Sequence, residues 1–139
     1  MTVAVRPVTL AELEAYQRDP GEFGALLGSA VPTGWPEFPE SIEFTAGQFR
    51  EHPEQAPWWM QLFLVDHALV GSGGFVGPPV EGVVEIGYEI APEFRGRGYA
   101  TAAAQAMIDR AAKGEREPSR RPRPTIESLT RRRDTRPAR

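Results

Sequence analysis

The spacing of apolar residues changes several times along the chain. Val3, Val5 and Val8 open it as a short β-branched strand. Leu10, Leu13 and Tyr16 then recur at helical spacing. Thr9 precedes them, with Glu12 three residues on, the pattern of a capping box. Pro20-Gly21 is expected to end this helix. GSAVPTGWPEFPES, rich in glycine and proline, reads as an exposed connection. Ser41 is then expected to cap a second helix running to about Phe49, with Ile42, Phe44 and Phe49 as its apolar residues.

After Pro57 the period shortens to that of strands. WWMQLFLVDHALVGSGGFVG predicts a hairpin, Trp58 to Val65 against Ala68 to Val76, turning at Asp66-His67. Gly71, Gly73 and Gly74 inside the second strand predict a bulge or a close backbone approach. Past the GPPVEG loop, Val84, Ile86, Tyr88 and Ile90 alternate with Val83, Glu85, Gly87 and Glu89, and Pro92 stops the strand. From Tyr99 a helix follows, with Ala100, Ala103, Ala104, Met107, Ile108 and Ala111 as its apolar stripe. This order of elements means a mixed α/β (α+β) domain whose mostly antiparallel sheet is flanked by helices.

Composition narrows the chemistry. With 139 residues, 40% hydrophobic and 25% charged, the chain is expected to be one soluble domain. No apolar run suits a bilayer, and MTVAVRPVTL has no apolar core behind a basic start, so the expected compartment is cytoplasmic, without membrane partners. The absence of cysteine excludes thiolate metal sites and cysteine nucleophiles, and His52 and His67 have no metal-ligand spacing; no metal is expected. Charge is divided unevenly. Residues 1–112 carry 6 basic and 15 acidic side chains, a balance of −9, whereas residues 113–139 carry 10 and 4, a balance of +6.

Between the last strand and the alanine-rich helix lies APEFRGRGYAT. A helix N-terminus offers unpaired N–H groups and roughly half a positive charge. Gly96 and Gly98 let an anion approach the backbone, and Arg95 and Arg97 add charge at the same end, the outline of a phosphate cradle. No Gly-Lys-Ser/Thr follows, which excludes a Walker loop, and the third glycine of a dinucleotide fingerprint is missing.

The longer stretch EIGYEIAPEFRGRGYATAAAQAMIDRA resembles the acetyl-coenzyme A signature of the GNAT N-acetyltransferases. Arg95 to Ala100 satisfies the pattern Gln/Arg-x-x-Gly-x-Gly/Ala, and GSGGF…EIGYEIAPEFRGRGYAT is similar to the branch containing ribosomal-protein N-terminal acetyltransferases. The resemblance implies a transferase that moves acetyl from acetyl-coenzyme A to a primary amine. It implies that the backbone at Glu89, Ile90 and Ala91 pairs with the pantetheine arm. The amides of Arg95, Gly96, Arg97, Gly98, Tyr99 and Ala100, with Thr101 beside them, would hold the pyrophosphate. Glu85, where several family members carry a glutamate, is the candidate base, directly or through a water; Glu89, on the same face, is the weaker alternative. Tyr88 points the other way and reads as core. The acceptor, a small-molecule or peptide amine, stays open among protein N-termini, aminoglycosides, polyamines and amino acids.

The remaining conspicuous residues have plainer readings. Trp58 and Trp59 are consecutive, so one is expected to pack inward and the other to reach a rim or acceptor pocket. Trp35 and Phe38 either wall the acceptor site as a lid or pin their loop. His52 and His67 are expected to be exposed.

Residues 1–112 thus read as a partial acetyltransferase domain and residues 113–139 as a disordered basic tail. The family pattern continues with a strand, a helix and a closing hairpin, whereas KGEREPSRRPRPTIESLTRRRDTRPAR has three apolar residues, Ile126, Leu129 and Ala138, and four prolines. The chain therefore reads as C-terminally truncated or frame-shifted. With codons chosen freely, a shifted reading of Glu127 to Arg139 can spell Ile-Ala-His-Thr, which resembles the missing strand. An incomplete, poorly stable fold with an unpaired sheet edge is the expectation. Two alternatives remain: an inactive remnant that binds coenzyme A weakly, and a basic arm that binds a polyanion. The tail offers no aromatic to stack on bases, so nucleic acid is not the expected partner.

Overall fold

The computed structural model describes residues 2–75, 80, 81, 83–116 and 129–131. β1 (Ala4–Pro7) enters α1 (Leu10–Arg18) through the expected cap: Glu12 N donates to Thr9 Oγ1 at 3.1 Å, and Thr9 N to Glu12 Oε1 at 2.9 Å. α1 ends before Pro20-Gly21, as expected, but another helix follows at once. Pro20 occupies the first turn of a further helix, α2 (Pro20–Leu27), where its missing N–H costs nothing and its fixed φ suits the helix. Gly28, at φ 79°, closes α2 in the left-handed conformation.

α3 (Glu40–Glu51) also begins earlier than expected. Pro39, at φ −57°, is already helical, so Ser41 lies inside the first turn instead of capping it, and Glu40 and Glu43 face the positive end of the helix dipole. Ile42 and Phe49 are buried, but Phe44 is exposed, its ring edge-on to Trp59 at 6.1 Å. A 3₁₀ turn at Pro53–Trp58 leads to the strands.

β2 (Met60–Val65) and β3 (Ala68–Phe75) form the expected hairpin, turning on Asp66 and His67 at φ 51° and 69°, the geometry of a two-residue I′ turn. The expected strand end at Val76 lies outside the described residues, as does most of the GPPVEG loop. In β3, Val70 is the extra residue of a bulge, since Leu64 faces Leu69 while Phe63 faces Gly71. β4 (Val84–Ile90) continues the antiparallel sheet, in the order β1-β2-β3-β4.

The sheet separates two apolar clusters. On one side α4 (Tyr99–Arg116) lays the fully buried Ala103, Met107 and Ala111 onto Phe63, Phe75, Ile86 and Ile90. On the other, α1, α2 and α3 close over Leu62 and Leu69 through Leu13, Phe23, Ile42 and Phe49. The consecutive tryptophans go to opposite sides: Trp58 stands edge-on to Phe75 at 5.3 Å, and Trp59 packs against the α1–α3 cluster.

The basic segment holds more regular structure than expected. α4 runs past Ala112 to Arg116, and β5 (Leu129–Arg131) pairs in parallel with Val84, Glu85 and Ile86. Backbone groups alone make such a ladder, so a segment poor in apolar side chains can still cover part of an edge strand. Residues 117–128 and 132–139 lie outside the described residues.

The Arg6–Glu12 pair ties β1 to α1, with Nη2–Oε2 at 2.7 Å and Nη1–Oε1 at 3.2 Å. Burial of the Glu12 carboxyl disfavours its ionised form, but hydrogen bonds from Arg6 and Thr9 and the Arg6 charge prevail and hold its pKa below the usual 4.5. A lowered folded-state value adds stability above the unfolded pKa, which is lost as pH falls through the folded one. Glu12→Gln therefore lowers stability by about 1 kcal/mol at pH 7, because Arg6 is partly solvated. Denaturant melts should show that difference shrinking below pH 4.

Candidate active site

β4 ends at Ile90, and the chain reaches α4 through one tight connection. Ala91 N donates to Val70 O at 2.8 Å, holding the strand end to β3. A 3₁₀ turn at Pro92–Phe94 follows, and Gly96 and Gly98 then reverse the backbone at φ 79° and 82°. In α4 the amides of Tyr99, Ala100 and Thr101 precede the first helical bond, Ala102 N to Gly98 O at 3.2 Å, so they have no acceptor one turn earlier in the helix. A Cβ built on Gly96 meets nothing within 4 Å. The turn is thus an open, backbone-lined mouth at the positive end of a helix dipole, and its residues fit an anionic diphosphate.

The two arginines lie against their own turn. Arg95 Nε donates to Ile90 O at 2.8 Å; Arg97 Nη2 donates to Glu93 O at 3.3 Å, with its guanidinium 5.7 Å from the Phe94 ring centroid. This leaves the mouth lined by main chain. Arg95 thereby engages the Ile90 carbonyl, and Val70 O engages the Ala91 amide, two groups expected to face the pantetheine arm.

The outer edge of β4 is covered in part. β5 pairs with Val84 to Ile86, and no described strand lies outside Gly87 to Ile90. The sheet therefore opens along the half of β4 that leads into the glycine turn. Glu85, half-buried, stands opposite Thr130 of β5 in the covered half. Glu89 lies four residues, about 13 Å, further along the strand.

Glu89 belongs to a cleft of about 220 Å³ between the sheet and α3. Ser41 and Thr45 of α3, Trp59 and Met60 at the start of β2, Ser72 of β3 and Glu89 surround it, and the cross-strand partners Gly74 and Gly87 add only backbone. Glu89 is 9% exposed, and its Oε1 accepts the Glu37 amide at 3.1 Å. Opposite it in the register, Ser72 Oγ accepts Trp35 Nε1 at 2.8 Å. Trp35 is buried and stacked on Phe23 at 5.7 Å, so it anchors the α2–α3 connection; Phe38 is exposed. His52, 3.7 Å from Glu54, and His67 are exposed, and neither is among the residues that surround the cleft.

Ser41, Thr45 and Ser72 were not legible as site residues, because tertiary packing alone brings them together. Gly87, a glycine within an alternating strand, was the available signal. No group of three His, Asp or Glu among the described residues is placed to hold a metal, and no described helix is long and apolar enough to cross a membrane.

Known proteins share this architecture. An acetyltransferase that modifies the N-terminal serine of the 50S subunit protein L7/L12 of Salmonella typhimurium aligns at 18% identity with a TM-score of 0.50, over 82% of this chain and 66% of its own. The dodecameric spermidine N-acetyltransferase of Vibrio cholerae aligns at 16% identity and 0.52, over 81% and 63%. A ribosomal L7/L12 α-N-protein acetyltransferase solved with coenzyme A aligns at 18% and 0.51, over 82% and 66%. The chain thus spans about two thirds or less of each of these relatives. No curated protein sequence matches it. The sequence pattern of the acetyltransferase (GNAT) domain matches residues 3–136, and the chain belongs to that family.

Proposed function

We propose that the protein transfers an acetyl group from acetyl-coenzyme A to a primary amine. The observation that carries this reading is the open glycine turn between Ile90 and Tyr99, set where β4 loses its outer neighbour. The amides of Gly96 to Thr101 bind the pyrophosphate, helped by the charge of Arg95 and Arg97. The outer edge of β4 from Gly87 to Ile90 receives the pantetheine arm as an added strand, with Arg95 able to release the Ile90 carbonyl. Acetyl-coenzyme A supplies the activated acyl group as a thioester. Glu85 is the proposed base that takes the proton of the attacking amine, directly or through water. The relatives act on a protein N-terminus and on spermidine, and a primary amine is the chemistry those acceptors share. Calorimetric titration with coenzyme A, followed by thiol release from acetyl-coenzyme A in the presence of amines, tests the reading. Saturable binding and amine-dependent release support it; a flat titration removes it.

A further inference from the structure

We infer that the cleft beneath α3 receives the acceptor as a compact amine bearing one positive charge on an apolar body. This rests on the acetyltransferase reading and specifies its substrate class.

Charge is the first argument. Among the described residues that line the cleft, Glu89 carries the only formal charge, and it is buried on the floor. A carboxylate in that position attracts an ammonium group and disfavours an anion. Glu37, whose amide reaches Glu89, is not among the residues that line the cleft, and Glu40 and Glu43 lie exposed on α3, where screening leaves little attraction for the further charges of a polyamine. The walls are the second argument. Trp59 and Met60 supply aromatic and thioether surface, while Ser41 and Thr45 add two hydroxyls at one side. Size is the third. About 220 Å³ falls below the roughly 300–1,000 Å³ of sites for drug-sized ligands, so an aminoglycoside does not fit inside. Position is the last. Gly87 and Glu89 line the cleft and also belong to the uncovered half of β4, so an amine seated there adjoins the strand proposed to carry the pantetheine arm.

Phenethylamine, spermidine and kanamycin serve as probes, titrated into the full chain with and without saturating coenzyme A. Phenethylamine should bind at least tenfold more tightly than either of the others. Glu89→Gln should weaken phenethylamine at least tenfold, and Ser41→Phe, which fills the cleft from a half-buried position on α3, should abolish its binding. Coenzyme A titration of Ser41→Phe should stay within about twofold of the parent chain. Tighter binding of spermidine or kanamycin, no phenethylamine binding to the parent chain, or parent-like phenethylamine affinity in Glu89→Gln or Ser41→Phe would overturn the inference. Failure of coenzyme A to bind the parent chain would instead strike the acetyltransferase reading, while the titrations without coenzyme still report on the cleft.

Discussion

A chain carrying Gly98→Glu loses coenzyme A binding by a factor of at least a hundred while keeping its fold. Gly98 sits at φ 82°, a conformation that costs a side-chain-bearing residue roughly 1–2 kcal/mol. That strain lowers stability without unfolding a domain held by two apolar clusters. The larger effect falls on the ligand. A carboxylate at the mouth of α4 competes for the first-turn amides and repels the diphosphate they would bind. Hydrogen bonds to charged groups contribute about 1.5–3 kcal/mol each, so losing two weakens binding by a hundredfold or more. Gly98→Ala introduces the strain without the charge and should lose only about tenfold. Calorimetry of the three proteins, with a thermal melt of each, separates the effects. Equal affinity in Gly98→Glu and the parent chain would show that the diphosphate lies elsewhere.

Gly71→Ala should be strongly destabilising for a single added methyl. A Cβ on Gly71 runs into the Glu89 carbonyl and comes within 3.0 Å of the Ile90 Cα, both of them backbone atoms that cannot turn aside. β3 must draw away from β4 where the Val70 bulge already strains the ladder. Overpacking of this kind costs about 1–3 kcal/mol, and the rigidity of the collision places it at the upper end, about 10 °C in melting temperature. Because the displaced carbonyl belongs to the segment proposed for the pantetheine arm, coenzyme A affinity should fall with stability. Gly47→Ala is the contrasting control. Gly47 lies inside α3 with nothing within 4 Å of its Cβ, so alanine there should stabilise by about 0.5–1 kcal/mol. If Gly71→Ala melts with the parent chain, the register of β3 on β4 is not the one described.

Local chemistry was legible in the sequence wherever neighbouring residues decide the structure. Thr9 and Glu12 cap α1, Asp66 and His67 turn the hairpin, and Ile86, Tyr88 and Ile90 of the alternating strand and the alanine stripe of α4 meet the core. The glycine turn was legible for the same reason, since its positive φ angles are a property of Gly96 and Gly98 themselves. Misreadings arose where one signal has two meanings. Pro20 reads as a stop but also suits the first turn of a helix, and Pro39 starts α3 ahead of Ser41. Long-range placement was the other limit. The exposure of Phe44 depends on α3 packing through Ile42 and Phe49, and the cleft depends on Ser72 and Glu89 meeting across two strands. Nor does the composition of the basic segment show β5, which main-chain groups hold.

Amide chemical shifts of the ¹⁵N-labelled chain, followed during titration with adenosine diphosphate and separately with pantetheine, test the diphosphate assignment most directly. Adenosine diphosphate should move Gly96, Gly98, Tyr99, Ala100 and Thr101 and leave α1 and α3 still. Pantetheine should move Gly87 to Ala91. Silence of the glycine turn under both ligands, with the largest shifts elsewhere, would contradict it.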